Sequence, residues 1–209
     1  MAVTAIGVLG GTFDPVHNGH LCIADQVKAG LELERVLFVP AASPWFKEDR
    51  DIAPAEHRLQ MVNLAVAARR DFGVSTVDVD RGGATYTEDT LRDLRRQLGS
   101  DVRLYFIMGE DALMDFPMWR NPEHILQLCK LVAVKRPGTA SLDMNKLERS
   151  IPGVSQRVIR MNNRLVDISS TEIRRRVASG SSISGLVPVE VERYIRQHGL
   201  YEPPRSGRR

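Results

Sequence analysis

The feature that most constrains this chain is an alternation. Short, strongly apolar runs are separated by stretches whose apolar residues recur at helical spacing. Val3 to Leu9 (VTAIGVL) reads as a buried strand, and Leu21, Ala24, Val27 and Leu31 follow on one helical face. Arg35 to Pro40 (RVLFVP) is a second strand, and Ala41 to Asp51 is a loop. Pro54 suits the first turn of a helix carrying Leu59, Val62 and Val66. Val74 to Val79 reads as a third strand, and Val102 to Met108 and Leu131 to Lys135 as a fourth and a fifth. Thr87 reads as an N-cap, ahead of Leu91, Leu94 and Leu98, with Gly99 to stop that helix. Asn121-Pro122 starts another helix, and Arg136-Pro137-Gly138 ends the fifth strand. Val158 to Met161 and Leu165 to Ile168 are expected as shorter strands, with helices over Ser169 to Ala178 and Pro188 to His198.

Strands alternating with helices in this way predict βαβ units. The expected fold is α/β: a doubly wound, mainly parallel sheet with helices on both faces and a small C-terminal helical part. Residues 1–201 are expected to form a single domain, and residues 202–209 a disordered basic tail. In such a sheet ligands bind beyond the carboxyl ends of the strands.

Composition narrows the function classes. Hydrophobic residues make up 43% and charged residues 26%, as in an ordinary soluble globular protein. The formal net charge is +3, and Arg205, Arg208 and Arg209 in the tail supply three positive charges. The body is then near neutral, which argues against a nucleic-acid surface. No apolar run approaches the ~18 residues of a spanning helix, and no secretory signal is visible, so a cytoplasmic protein without a membrane partner is expected. Cys22 and Cys129 lack metal-ligand or disulfide spacing and are expected to be buried and reduced.

Directly after the first strand comes Gly10-Gly-Thr-Phe-Asp-Pro-Val-His-Asn-Gly-His20. Gly10 and Gly11 allow the backbone to approach a ligand closely. A helix starting near Asn18 or Gly19 would aim free N–H groups at the same place. His17 and His20 can face the same way and donate to phosphate oxygens, stabilising charge that grows on a transferring phosphorus. The stretch is neither a P-loop nor a GxGxxG fingerprint. A zinc site would use the same pair, but no third ligand stands at a matching spacing. A plain turn leaves the histidines unexplained.

These residues resemble the HxGH nucleotidyltransferases, whose pattern G-x-F-x-P-x-H-x-G-H is met by Gly11, Phe13, Pro15, His17, Gly19 and His20. A second motif of that superfamily is similar to Ile168-Ser-Ser-Thr-Glu-Ile-Arg174. On physical grounds alone Ser169 and Glu172 make a capping box. Arg174, counted in the first turn, opposes the helix dipole unless an anion binds there. Thr85-Tyr-Thr-x-x-Thr-Leu91, Gly109-x-Asp111, Phe116-Pro-x-Trp119 and Arg136-Pro-Gly138 resemble segments of the bacterial nicotinate-mononucleotide adenylyltransferases.

That resemblance implies a Rossmann-like fold and adenylyl transfer from ATP to nicotinate mononucleotide. Deamido-NAD and pyrophosphate are the products, and Mg2+ arrives with ATP rather than on protein side chains. It implies catalytic roles for His17, His20 and Arg174. It places Gly10, Gly11, Thr12, Phe13, Gly109, Asp111, Ile168, Ser170 and Thr171 with them around ATP. On the mononucleotide side it implies Lys47, Tyr86, Thr87, Trp119 and Arg136, with Trp119 stacked on the pyridine ring. A homo-oligomer is left open. The rivals are a pantetheine-phosphate adenylyltransferase, a non-catalytic nucleotide-binding protein of the same fold, and a nucleic-acid binder using the tail.

Overall fold

The computed structural model describes residues 4–44, 52–135, 142–162 and 166–203. Its first apolar run is β1 (Ala5–Gly11), followed by α1 (Asn18–Gly30), β2 (Arg35–Pro40), a two-residue β3 (Ser43–Pro44) and α2 (Ala55–Val66). Next come β4 (Phe72–Val74), α3 (Val77–Arg81), β5 (Ala84–Thr85), α4 (Thr87–Leu98), β6 (Arg103–Gly109) and α5 (Glu110–Met114). The chain continues through α6 (Pro122–Leu128), β7 (Lys130–Val134), α7 (Met144–Ser150), β8 (Val158–Met161), α8 (Ser170–Ala178) and α9 (Val189–Gln197).

Six strands form one all-parallel sheet in the order β4-β2-β1-β6-β7-β8. β1 and β6 lie side by side, and the chain winds away from them in both directions. Alternate residues of each strand feed two cores. Val8, Leu37, Phe106 and Ala133 face one side, packed with Leu91 and Leu94 of α4 and Ile125 of α6. Leu9, Phe38, Ile107 and Val132 face the other, packed with Ala24 of α1, Met61 and Val62 of α2, Ile173 of α8 and Ile195 of α9. Burial on both faces is why the strands read as continuous apolar runs. The C-terminal helices α8 and α9, the small helical part expected there, pack into one layer of the sandwich.

Four expected features differ. The third strand ends at Val74, and Val77 to Val79 open α3 instead. The buried Asp78 carboxylate accepts from Thr90 Oγ1 at 2.7 Å and from Arg81 at 2.5 Å, and those partners need a helical turn here. Val166 to Ile168 pair with no strand. The N-cap of α4 is Tyr86, so Thr87 is the first helical residue. Pro54 likewise caps α2 and does not enter its first turn.

Both thiols are free, but only Cys129 is buried, and burial pushes it up to about 12. Cys22 is half-buried and accepts from Gln26 Nε2 at 3.1 Å. No helix among the described residues is long and apolar enough to cross a membrane.

Candidate active site

The reversal of winding between β1 and β6 opens a crevice at their carboxyl ends. Residues 10–20 leave β1 into it. A Cβ on Gly10 would come within 3.3 Å of the Phe106 ring on β6, so a larger residue there would require that ring to give way. Phe13 is buried with φ of 51°, a left-handed backbone that a side chain seldom adopts. Its ring meets that of His20 edge-on, with centroids 5.0 Å apart.

His17 is the N-cap of α1 and lies almost fully buried; His20 is its third residue and half-buried. Their rings stack with centroids 3.7 Å apart and 23° between planes. The His17 backbone N–H donates to His20 Nδ1 at 3.2 Å. The neutral His20 ring then carries its proton on Nε2, away from the backbone, as a donor. Gly19 makes the stack possible. A Cβ there would lie 2.9 Å from His17 Nδ1 and 3.5 Å from the Cβ of Ile168.

The expectation of free amides at the start of α1 holds in part. The Asn18 N–H donates to Leu186 O at 2.9 Å and that of His20 turns back onto His17, while that of Gly19 takes no acceptor among the described residues. Further open amides stand at α8. Ser169 caps that helix by accepting from Glu172 N at 3.2 Å, while the N–H groups of Ser170 and Thr171 take no acceptor among the described residues. This end is docked on the first loop: Ser170 Oγ donates to Pro15 O at 2.9 Å, and Arg174 Nη1 to Asp14 O at 2.7 Å. Arg174 is the fifth helical residue rather than part of the first turn. It reaches back because helical side chains lean toward the N-terminus. Its other two guanidinium nitrogens make no hydrogen bond among the described residues.

Two residues that sequence reasoning passed over hold the loop. Asp14 is buried; its Oδ1 accepts from Tyr201 Oη at 2.8 Å and from Ala53 N at 3.3 Å. Arg58 of α2 is also buried and donates to the carbonyls of Thr12 at 2.8 Å, Ala53 at 2.8 Å, Ala41 at 2.7 Å and Ala42 at 2.7 Å. It ties the loop after β1 to the loop after β2. Burial lowers its pKa and the Asp14 charge opposes that, yet a guanidinium stays charged. The signal was present: position 58 shares a helical face with the buried Met61 and Val62, and a charge on an apolar stripe requires partners.

The far wall is assembled from separate segments. β3 pairs with β5, and Thr85 Oγ1 accepts from Ala42 N at 3.0 Å. Tyr86 and Thr87 follow at the head of α4, where the N–H groups of Thr87 and Glu88 take no acceptor among the described residues. Trp119 is half-buried, edge-on to Phe106 at 6.2 Å and to Phe116 at 5.6 Å. The guanidinium of the next residue, Arg120, lies 4.1 Å over the Tyr86 ring. Glu88, buried, accepts from Asn121 Nδ2 at 2.8 Å, from the His124 ring at 2.8 Å and from Arg120 Nε at 3.3 Å. The head of α4 and the Trp119 segment are thereby clamped together. Gly109 caps α5, and Asp111, half-buried, is its second residue rather than its cap. Lys47, Arg136 and residues 204–209 of the expected tail lie outside the described residues. Among those described, no three His, Cys, Asp or Glu side chains meet in a group able to hold a metal.

Residues 8–176 match the model of the cytidylyltransferase-like family. A protein of Dehalococcoides mccartyi called a probable nicotinate-nucleotide adenylyltransferase is 44% identical over 195 residues, 93% of this chain and 96% of its own. A protein of Roseiflexus bearing that same description is 46% identical, over 96% of this chain and 100% of its own. Among solved structures, the nicotinic acid mononucleotide adenylyltransferase of Plasmodium falciparum complexed with NaAD superposes with a TM-score of 0.75, covering 95% of this chain and 97% of that one. At 19% identity that likeness speaks for the fold. Sequence identity of this order, sustained over nearly the whole length, decides the kinship: the chain belongs to the cytidylyltransferase-like family, on its nicotinate-nucleotide adenylyltransferase branch.

Proposed function

We infer that the chain transfers the adenylyl group of ATP to nicotinate mononucleotide, giving deamido-NAD and pyrophosphate. One observation carries the reading: the stacked pair His17 and His20, and the open end of α8 with Arg174, sit on the same short loop at the carboxyl end of β1.

The reaction is a direct displacement. An oxygen of the mononucleotide 5′-phosphate forms a bond to the α-phosphorus of ATP. The bond from that phosphorus to the bridging oxygen breaks, and pyrophosphate leaves. The attacking phosphate is already anionic at neutral pH, so no general base and no protein nucleophile are needed. Catalysis reduces to positioning and to donors aimed where charge grows. On this reading the Nε2–H of His20, with His17 behind it, faces the α-phosphate. The Ser170 and Thr171 amides and Arg174 hold the outer phosphates. Gly10, Gly11, Thr12 and Phe13 shape the nucleotide floor, Gly109 and Asp111 stand at the ribose, and Ile168 packs behind Gly19. Mg2+ would ride on the phosphate oxygens and water, neutralising their charge; a surface of donors without clustered carboxylates suits that arrangement.

On the acceptor side, the open amides of Thr87 and Glu88 at the head of α4 suit a carboxylate. An uncharged carboxamide, also a donor, fits them less well. Trp119 offers a ring for stacking, Tyr86 lines the same wall, and Lys47 and Arg136 are assigned to the mononucleotide phosphate.

The test is pyrophosphate release from ATP with nicotinate mononucleotide, nicotinamide mononucleotide and phosphopantetheine as alternative acceptors. Turnover fastest with nicotinate mononucleotide is expected. A preference for phosphopantetheine, or no release with any acceptor, overturns the reading.

A further inference from the structure

Two backbone outliers meet at one hydrogen bond. Tyr201 has φ of 67° and Phe13 has φ of 51°; both carry side chains that disfavour this region. Phe13 immediately precedes Asp14, and Tyr201 Oη donates to Asp14 Oδ1 at 2.8 Å across 187 positions of chain. Strain of this kind persists only where surrounding contacts over-determine it, and it gathers at functional sites. The turn after α9 supplies those contacts: Gly199 has φ of 59°, and Leu200 N donates to Ile195 O at 3.0 Å and packs into the second core.

The bond lies one step from the phosphate donors. Oδ2 of Asp14 stands 3.5 Å from Arg174 Nη1, which also donates to the Asp14 carbonyl at 2.7 Å. Pro15 O, the next carbonyl, receives Ser170 Oγ. With Oδ1 occupied by Tyr201 and by Ala53 N, the carboxylate cannot turn, and Oδ2 stays toward Arg174. One guanidinium nitrogen is thereby held on the loop while the other two are left for a ligand.

We propose that Tyr201 is a positioning residue for ATP: by fixing the Asp14 carboxylate, its hydroxyl sets loop 13–17 and the Arg174 guanidinium in the geometry that receives the triphosphate. The proposal rests on the reading of this end of the crevice as the ATP end. Tyr201 does not touch the reacting atoms; it acts through Asp14.

The experiment is Tyr201→Phe, which keeps the ring and the backbone and removes one hydroxyl. Binding of a non-hydrolysable ATP analogue with Mg2+ is measured by calorimetry, alongside steady-state kinetics for each substrate. Expected are a loss of about tenfold in analogue affinity and in kcat/KM for ATP, the size of one hydrogen bond to a charged group, with KM for the mononucleotide within twofold. In an Arg174→Ala background the same change should cost less than twofold, because the group it positions is gone. Parent-like analogue binding by Tyr201→Phe overturns the proposal, as do equal losses for both substrates, or losses that multiply in the double variant. Should Tyr201→Phe not fold, Asp14→Ala removes the same bond from the other side, and parent-like analogue binding there overturns it equally. A parent protein that turns over ATP while Tyr201→Phe matches it removes this inference alone. A parent that binds no ATP analogue removes the ATP reading and this inference with it.

Discussion

The two ends of the crevice are built differently. The end assigned to ATP draws its phosphate donors from two short stretches, residues 10–20 and 168–174, docked on each other by Ser170 on Pro15 and Arg174 on Asp14, with Gly109 and Asp111 at the ribose. The end assigned to the mononucleotide comes from pieces of the β2 loop, β5, the head of α4 and the Trp119 segment. Long-range ties hold those pieces: Arg58 on Ala41 and Ala42, Thr85 on Ala42, Glu88 on Arg120 and Asn121. A site encoded locally should fail sharply and selectively when one residue changes. A site encoded by ties should fail gradually, through affinity for one substrate.

The largest effect is expected at the local end. His20→Ala should lower kcat by at least ~100-fold with the circular dichroism spectrum unchanged, as for loss of a donor to developing charge. Near-normal turnover would remove His20 from the chemistry. Gly19→Ala tests the same end through shape. Its Cβ would stand 2.9 Å from His17 Nδ1, so the imidazole stack must shift, and a fall in kcat of roughly 30-fold is expected with stability little changed.

Arg58→Met tests whether the ends are tied together. Four carbonyls lose a charged donor, so stability should drop by about 3 kcal/mol, and KM should rise for both substrates. A rise for one substrate only would show that Arg58 serves one wall.

Trp119→Ala should raise KM for the mononucleotide about tenfold, the worth of one aromatic stack, and leave KM for ATP alone. Equal effects on both would count against stacking on the pyridine ring.

The smallest effect belongs to Glu88→Gln, with KM for the mononucleotide rising about threefold. Hydrogen bonds from His124 and Asn121, with the Arg120 charge, hold the Glu88 carboxyl below its ordinary range. The stability it adds is therefore complete above the ordinary glutamate pKa of about 4.3 and is lost as pH falls through the lower folded value. Melting temperature against pH should show that acid-side loss in the parent and a flatter curve in the variant.

Much of the fold was legible because parallel strands buried on both faces are apolar throughout and helices repeat their stripes. RVLFVP is β2 residue for residue. The run at Val74 to Val79 misled because so short a valine-rich run suits a strand as well as a single helical turn, and the bond between Asp78 and Thr90 goes with the turn. At the site, Arg174 was expected in the first turn and stands fifth in α8. The one-turn spacing of the histidines and the Ser169 cap were legible from the sequence, since i,i+3 pairs and caps are properties of a single turn. Asp14 and Tyr201 were not, because no local pattern says that a carboxylate at 14 will find a hydroxyl at 201.

By itself the sequence determined the order of the main strands and the longer helices and the pair of stretches that could meet phosphates, because periodicity and caps depend on neighbours within about four residues. Only the tertiary structure decided that the open end of α8 docks on the first loop, that the C-terminal turn closes on Asp14, and that Arg58 joins the two walls. Those outcomes depend on which buried polar groups find partners across the chain, and a buried charge or amide is satisfied in space, not along the sequence.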